Sequence, residues 1–421
     1  MVKRRKPSGE VAAPKADAAT FAPALNAGFQ ATTSRVQEMH QAISGKTFDN
    51  LLRVPGLSVP TRIVQGLHDA ITQGVYAAVR HGGGAALSLA GQAERIGSDP
   101  ARVPGAREQS ARSALNGVFG DELLASGSAL AIGMKLYAAG AAVALTAAAL
   151  QGLHPRVCVF IHGLACDEQS WAQRSDAWRG SPWADALTGG EAMQYGSLLA
   201  HELGLSAIYL RYNTGLAIDN NAQQFAALLT RVADAAPQVR EWVLIGHSMG
   251  GLVARRAHAL AAATSEPWAA RTPLIVCLGS PHQGAPLEQL GQLATAALNV
   301  SDVTRPLGRI ANARSQGIKD LRGGLKGKPS AVQPPALRLV FGTLGDEADS
   351  GVGSLIGKLF GDGLVMPGSA ADDGLTGDVE RVELAGLGHM ALLNHPRVYT
   401  VLRRWLGAPE FTASSTAAPV G

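Results

Sequence analysis

The chain has 421 residues, 46% of them hydrophobic and 17% charged, which allows one large buried core and an extension. The formal net charge is +4, and the basic run Lys3–Lys6 alone accounts for this excess. A short terminal run of this kind is typical of a solvated tail, so we expect no nucleic-acid partner. The basic start lacks the apolar core of a signal peptide, and three cysteines leave one unpaired and fit no zinc spacing. We therefore expect a cytoplasmic protein with reduced thiols and no bound metal.

The start of the chain predicts two regions without strands. Residues 1–30 are rich in Ala, Pro and charge, which predicts a disordered basic tail. Residues 31–125 predict a helical region, where apolar residues four apart form one stripe over Ile63–Val75. The run His81–Gly84 is similar to an oxyanion motif but follows a helix, so we interpret it as a glycine helix stop.

The stretch Leu136–Leu153 is the main candidate for a membrane span, because its eighteen residues carry no charge. Eight of them are alanine, which contributes little to insertion into lipid, and Lys135 directly precedes the stretch. We therefore expect a strand over Leu130–Tyr137, a turn at Gly140 and a short helix through Leu150.

From residue 156 onward, apolar runs alternate with helical patterns. Strands are predicted at Val157–Ile161, Ser206–Leu210, Trp242–Ile245, Pro273–Leu278, Leu337–Phe341 and Val379–Leu384. Helices are predicted at Glu191–Leu203, Asn221–Ala235, from the glycines after Ile245 to about Ala262, and at Ala391–Leu406. Continuous apolar strands separated by helices predict a mostly parallel sheet covered on both faces. This α/β domain should span 126–407, with a lid-like insertion at about 284–335 and a flexible tail at 408–421.

A candidate nucleophile lies in the run Gly246-His247-Ser248-Met249-Gly250. An apolar strand precedes this run and a helical pattern follows it, so Ser248 falls on the turn between them. In a G-x-S-x-G turn the serine is held in a strained conformation that exposes its hydroxyl, and the glycines let strand and helix pass closely. The motif alone also fits an ordinary glycine-rich turn, so its context decides.

An acid and a base follow Ser248 in the order that this strand–turn–helix motif requires. His389 lies between the last strand and the last helix, and is preferred to His395, which we expect inside that helix. Asp362 is flanked by two glycines that free the backbone to present its carboxylate. Asp346 is the alternative acid, because it lies closer to the end of its strand.

The negative charge that develops on an acyl group needs backbone N–H donors. One comes from the residue after the nucleophile, here Met249, and the other from the loop after an early strand. The run Ile161-His162-Gly163-Leu164 is that loop, so Leu164 is the second expected donor. We interpret His162 as holding the loop, because no second ligand stands at metal spacing. No cofactor is required.

Together these segments resemble the lipase-like α/β-hydrolases grouped with GPI inositol-deacylase and the bacterial triacylglycerol lipases. The resemblance covers about residues 126–407 and rests on five segments: Val159–Leu164, Gly246–Gly251, Leu278–Pro286, Gly361–Ala370 and Gly388–His389. It implies an α/β-hydrolase fold with Ser248 as nucleophile, Asp362 as acid and His389 as base. The runs Leu210–Gly215 and Arg314–Leu321 are similar to segments of uncharacterised bacterial members.

The resemblance implies a serine ester hydrolase for an apolar or lipid-like acyl ester. Peripheral contact with a lipid surface through the insertion stays open. An intracellular polyester depolymerase is an alternative, whereas a polyester synthase would carry Cys where this chain has Ser248. A non-catalytic scaffold that keeps the fold is a second alternative, with the helical region before residue 125 as its partner surface.

Overall fold

A computed structural model describes residues 105–125, 127–187, 191–285, 315–324, 334–343, 362 and 365–408, with isolated positions before residue 105. Several predictions fall outside this part of the chain. They are the tail at 1–30, nearly all of the helical region up to residue 104, the His81–Gly84 stop, most of the insertion, Asp346, and the residues after 408.

The chain divides into two compact units, one made of Met1–Pro104 with Ser128–Leu130 and the other of Gly105–Gly127 with Ala131–Gly421. Helix α1 (Ala106–Ala125) lies in the second unit, with the sheet, although the sequence groups it with the helical region 31–125. Glycines on α1 explain this placement, since a Cβ at Gly120 would lie 1.9 Å from Oδ1 of Asn213. The backbone of α1 therefore lies directly against Asn213, in the same unit as the sheet.

In the described part of the second unit, eight strands form one sheet in the order β2-β1-β4-β3-β5-β6-β7-β8. The strands are β1 (Lys135–Ala138), β2 (Ala141–Ala142), β3 (Arg156–Ile161), β4 (Ser206–Arg211), β5 (Glu241–His247), β6 (Leu274–Leu278), β7 (Ala336–Thr343) and β8 (Val379–Ala385). Strands β3 to β8 run parallel, and β1 runs antiparallel to both of its neighbours. Every residue of β3, β5, β6 and β7 is buried, as continuous apolar runs predict.

Helices cover both faces of this sheet. After α1 they are α2 (Ala147–Leu150), α3 (Tyr195–Leu203), α4 (Ile218–Ala235), α5 (Met249–Ala263), α6 (Pro267–Ala270), α7 (Gln316–Gly323), α8 (Pro367–Ala371) and α9 (Pro396–Leu406). The buried sides of α3 and α9 share one core cluster with Phe160 and Ile245. Helices α4 and α5 pack against each other outside that cluster. The predicted mostly parallel sheet with helices on both faces is thus confirmed.

The uncharged stretch Leu136–Leu153 forms a strand, a turn and a short helix as expected, but β1 begins at Lys135 instead of Leu130, and the strand β2, which was not predicted, follows the turn. Thr146 begins α2 by accepting a hydrogen bond from the backbone N–H of Ala149. Within the described ranges, no helix combines the length and the apolar character needed to cross a membrane.

The prediction of one closing helix over Ala391–Leu406 is wrong. The chain forms a 3-10 turn at His389–Leu393, turns extended at Asn394, and begins α9 only at Pro396. Proline lacks an N–H and fits the first turn of a helix but not its interior. His395 is therefore not inside the helix. It caps α9, with its Nδ1 accepting the N–H of Arg397 at 3.2 Å.

Candidate active site

Ser248 lies on the turn between β5 and α5 with φ +54° and ψ −124°. A positive φ is uncommon for a residue with a side chain and costs free energy, so the surrounding structure must hold it. The N–H of Ser248 donates to the carbonyl of Leu278 at 2.8 Å, which fixes the turn to the end of β6. Ser248 thus has the strained conformation that the motif predicts.

The glycines on each side of the turn are needed for close backbone approach. A Cβ at Gly246 would lie 2.3 Å from the nitrogen of Gly251, and one at Gly250 would lie 2.1 Å from the carbonyl oxygen of Ile161. Both distances are far below a permitted contact, so a side chain at either position would push α5 away from the sheet.

Asp362 and His389 are in direct contact. Nδ1 of His389 lies 2.7 Å from Oδ2 of Asp362, and both side chains are at least 95% buried. The other carboxylate oxygen accepts the N–H of Val365 at 2.7 Å. A carboxylate accepts hydrogen bonds, so Nδ1 of His389 is the donor in this contact. Asp346 lies outside the described residues, and its role stays a prediction.

The Asp362–His389 pair lies beside the turn that carries Ser248. Nε2 of His247, the residue before Ser248, donates to the carbonyl of His389 at 3.0 Å, and the two rings are 4.7 Å apart. A Cβ at Gly279, directly after β6, would lie 3.1 Å from Nδ1 of His389 and 3.2 Å from Oδ2 of Asp362. Nε2 of His389 is buried and has no hydrogen-bond partner among the described residues.

His247 and Gly279 are site residues that the sequence reasoning did not single out. Burial, followed by the nearby His389 ring, holds the pKa of His247 well below its usual range, so the ring stays neutral. The one feature of the sequence that could have identified His247 as a site residue is its position directly before Ser248. Gly279 has φ +59°, and its proximity to Asp362 and His389 depends on the fold rather than on any local motif.

The two predicted oxyanion donors, Leu164 and Met249, lie in the two segments that adjoin Ser248. Met249 is the first residue of α5, and the first N–H groups of a helix have no partner within the helix. Leu164 is buried in the loop after β3, where a Cβ at Gly163 would lie 2.9 Å from Cβ of Ser248. Gly163, the residue before Leu164, therefore lies against the side chain of Ser248.

His162 lies in that loop with its ring fully buried and stacked on Tyr212, the ring centroids 4.6 Å apart. Its Nδ1 donates to the carbonyl of Gly163 at 3.0 Å. This carbonyl belongs to the same peptide unit as the N–H of Leu164, so the two groups point in opposite directions. Burial lowers the pKa of His162 to about 4, so the ring is neutral at neutral pH.

The three cysteines are free thiols. Burial raises the pKa of Cys158 and Cys166 to about 12 and that of Cys277 to about 11, so these thiols stay protonated. Across the described ranges, no three His, Cys, Asp or Glu side chains are grouped as a metal site would need.

Comparison with known proteins gives one family match and several distant structural matches. Residues 212–317 match the family described as the PGAP1-like alpha/beta domain. This segment contains β5, Ser248, α5 and β6, whereas Asp362 and His389 follow it. No curated protein matches the sequence.

Three of the matching solved structures are a lipase, a lipase-esterase related protein and a thioesterase. The mature lipase BlEst2 of Bacillus licheniformis has a TM-score of 0.39 and 18% identity over 61% of this chain and 93% of its own. A lipase-esterase related protein of Clostridium acetobutylicum has a TM-score of 0.36 and 10% identity over 60% and 94%. The RedJ thioesterase of prodiginine biosynthesis in Streptomyces coelicolor has a TM-score of 0.35 and 14% identity over 59% and 85%.

The segment that matches the family contains β5 and β6, two central strands of the sheet. A mostly parallel sheet with an antiparallel strand near one end and a serine turn after β5 is the arrangement of the α/β-hydrolases. The chain therefore has an α/β-hydrolase fold, as the sequence resemblance implied, and residues 212–317 within it match the PGAP1-like alpha/beta domain family.

Proposed function

We propose that the protein is a serine carboxylic-ester hydrolase in which Ser248 is the nucleophile, His389 the base and Asp362 the acid. The observation that carries the proposal is the buried 2.7 Å contact between His389 and Asp362, beside a serine held at φ +54°. Nε2 of His389, buried and without a hydrogen-bond partner among the described residues, is the nitrogen that a serine hydroxyl would use.

In the proposed reaction, Oγ of Ser248 attacks the ester carbonyl while Nε2 of His389 takes the hydroxyl proton. Asp362 stabilises the imidazolium that forms. The carbonyl oxygen becomes an oxyanion, which the N–H groups of Leu164 and Met249 bind. His389 then returns the proton to the departing alcohol, and a water molecule, activated in the same way, releases the acid and restores Ser248.

The proposed substrate carries an apolar acyl group, because the side chains packed around the Asp362–His389 pair and the loop after β3 are apolar. The side chains of Leu164, Trp171 and Leu392 are at most 2% exposed, and the Trp171 ring centroid lies 6.4 Å from that of His247. Leu392 follows the base in the 3-10 turn His389–Leu393. Burying apolar acyl carbons near such side chains is favourable, at about 0.8 kcal/mol per methylene.

The test is labelling by a fluorophosphonate probe, followed by hydrolysis of esters of increasing acyl length. Wild type should be labelled at Ser248 and should hydrolyse at least one of these esters, whereas Ser248→Ala should do neither while keeping its circular dichroism spectrum. Including a polyester of the kind that cells store among the substrates tests the depolymerase alternative. Normal ester turnover by Ser248→Ala would refute the mechanism. Wild type that is folded, unlabelled and inactive would favour the scaffold alternative.

A further inference from the structure

We propose that Tyr212 and Thr214 are positioning residues for the oxyanion loop, defined here as His162–Cys166. The inference rests on the proposed function, because it concerns how the N–H of Leu164 is aimed. Neither residue is proposed to touch the substrate. Both follow β4, and no motif in the sequence connects them with the loop after β3.

The two side chains hold the oxyanion loop on either side of Leu164. The Tyr212 hydroxyl donates to the carbonyl of His162 at 2.7 Å. The N–H of Ala165 donates to Oγ1 of Thr214 at 3.0 Å. These bonds fix the peptide units before and after the one that joins Gly163 to Leu164. Because that unit carries the N–H of Leu164, its orientation is limited from both ends.

The sequence of the oxyanion loop creates a need for such support. Gly163 has no side chain because a Cβ there would lie 2.9 Å from Cβ of Ser248, but glycine also has the greatest backbone freedom. Ala165 has φ +60°, a conformation that is costly for a residue with a Cβ. The backbone is thus conformationally free at Gly163 and strained at Ala165. The hydrogen bond from Tyr212 lies next to Gly163, and the one to Thr214 is made by Ala165 itself.

The segment that provides these hydroxyl groups is itself firmly held. Asn213 accepts the N–H of Gly215 at 3.0 Å and donates to the carbonyl of Gly120, in α1, at 2.8 Å. Asn221, in α4, donates to the carbonyl of Asn213 at 3.0 Å. The N–H of Gly317, in α7, donates to the carbonyl of Gly215 at 3.0 Å. Three helices therefore fix the support for the oxyanion loop, and α1 is one of them.

Removing one hydroxyl would leave both oxyanion donors in the protein but would let the Leu164 peptide rotate. Binding of the uncharged ester depends little on that N–H, whereas the transition state depends on it strongly. The kcat should therefore fall with little change in KM. A complete loss of one donor costs about a hundredfold to a thousandfold, so partial misorientation should cost about tenfold.

The experiment compares Thr214→Val, which removes the hydroxyl, with Thr214→Ser, which keeps it. Tyr212→Phe removes the other hydroxyl and keeps the stacked ring. The kcat is measured per site titrated with fluorophosphonate, and binding of a trifluoromethyl ketone reports on the oxyanion site, because its adduct with serine is an oxyanion. Thr214→Val and Tyr212→Phe should lower kcat and weaken ketone binding in parallel, by about tenfold, with KM changed less than about twofold. Thr214→Ser should remain close to wild type.

The outcomes separate positioning from a purely structural role. Thr214→Val with fewer titratable sites, but unchanged kcat and ketone affinity per site, would overturn the inference and leave the proposed function standing. An equal loss in Thr214→Ser, or a change in KM alone, would also overturn it. Wild type that neither labels at Ser248 nor hydrolyses any ester would overturn the inference together with the proposed function.

Discussion

Asp362 and His389 are joined twice, once through their side chains and once through their backbones. Oδ2 of Asp362 lies 2.7 Å from Nδ1 of His389, and the N–H of His389 donates to the carbonyl of Asp362 at 2.9 Å. The backbone bond holds the two residues together whatever the charge on the carboxyl group. Replacing the acid by its amide should therefore alter the electrostatics without releasing His389.

We expect Asp362→Asn to remain folded and to lose about a thousandfold to ten-thousandfold in kcat. An amide can stabilise the wrong tautomer of His389, and it cannot stabilise the imidazolium. The measurement is kcat on a soluble short-chain ester over about pH 6 to 9, with far-UV circular dichroism as the control for folding.

Asp346→Asn is the comparison variant, because Asp346 is the alternative acid in the sequence. It should cost little activity. A large loss in Asp346→Asn together with near-normal kcat in Asp362→Asn would reverse the assignment of the acid.

The strands of this fold were predictable because their residues carry the signal locally. Buried parallel strands are continuous apolar runs, so β3, β5, β6 and β7 were recognised to within a few residues. The elbow at Ser248 was equally visible, because strand, turn and helix follow one another directly in the sequence.

Contacts between distant segments were not predictable in this way. Helix α1 was assigned to a separate region because nothing in its sequence indicates that Gly120 lies against Asn213. The hydrogen bond from Ala165 to Thr214 joins residues 49 positions apart, on loops after two different strands. Pro396 indicates that a helix begins there, but the apolar pattern that starts at Ala391 favours a single longer helix.

Gly279→Ala should lower kcat more than the backbone strain alone explains. Gly279 has φ +59°, and a Cβ there would lie 2.9 Å from Leu392 and close to both His389 and Asp362. We expect at least about a tenfold loss of kcat, because a displacement of about 1 Å in a catalytic group can cost about a hundredfold.

Gly140→Ala is the matched control for that substitution. Gly140 has φ +78°, but a Cβ there would have no neighbour within 4 Å. It should lose stability through strain and keep normal kcat. Equal kcat values in the two variants would show that the contact at Gly279 does not matter for the acid–base pair.

Arg156 and Glu241 form a buried ion pair at the first residues of β3 and β5, at the opposite ends of those strands from Ser248. The side chains are 6% and 3% exposed, and Nε of Arg156 lies 2.8 Å from Oε1 of Glu241. Arg156→Met should lower the free energy of unfolding by about 3 kcal/mol, because it removes the positive charge beside a buried carboxylate. The kcat of the folded protein should not change.

Urea unfolding provides the measurement for this pair, and an exposed pair provides the control. Arg256 and Asp219 are also 2.8 Å apart, but their side chains are 30% and 57% exposed. Arg256→Met should cost less than about 1 kcal/mol, because water screens that pair. The double variant Arg156→Met/Glu241→Leu should recover part of the loss. Equal costs for the buried and exposed arginines would contradict the role assigned to burial.

Buried histidines should make the protein less stable in acid. Burial lowers the pKa of His162 from 6.5 to about 4. Between these two values the unfolded chain takes up a proton that the folded chain does not, so protonation favours unfolding. The contribution of His162 is therefore fully present above about pH 6.5 and is lost as the pH falls toward about 4, at up to about 1.4 kcal/mol per pH unit.

His162→Gln tests this point, because glutamine does not titrate. The free energy of unfolding, measured in urea at several pH values over about pH 4 to 8, should depend less steeply on pH in the variant than in wild type, by up to one proton. The absolute stability of His162→Gln is not the readout, since the substitution also removes the stack on Tyr212 and the bond to Gly163. His201→Gln replaces an exposed histidine in α3 and serves as the control. A His162→Gln curve parallel to that of wild type would mean that His162 is protonated equally in the folded and unfolded chains, contrary to its complete burial.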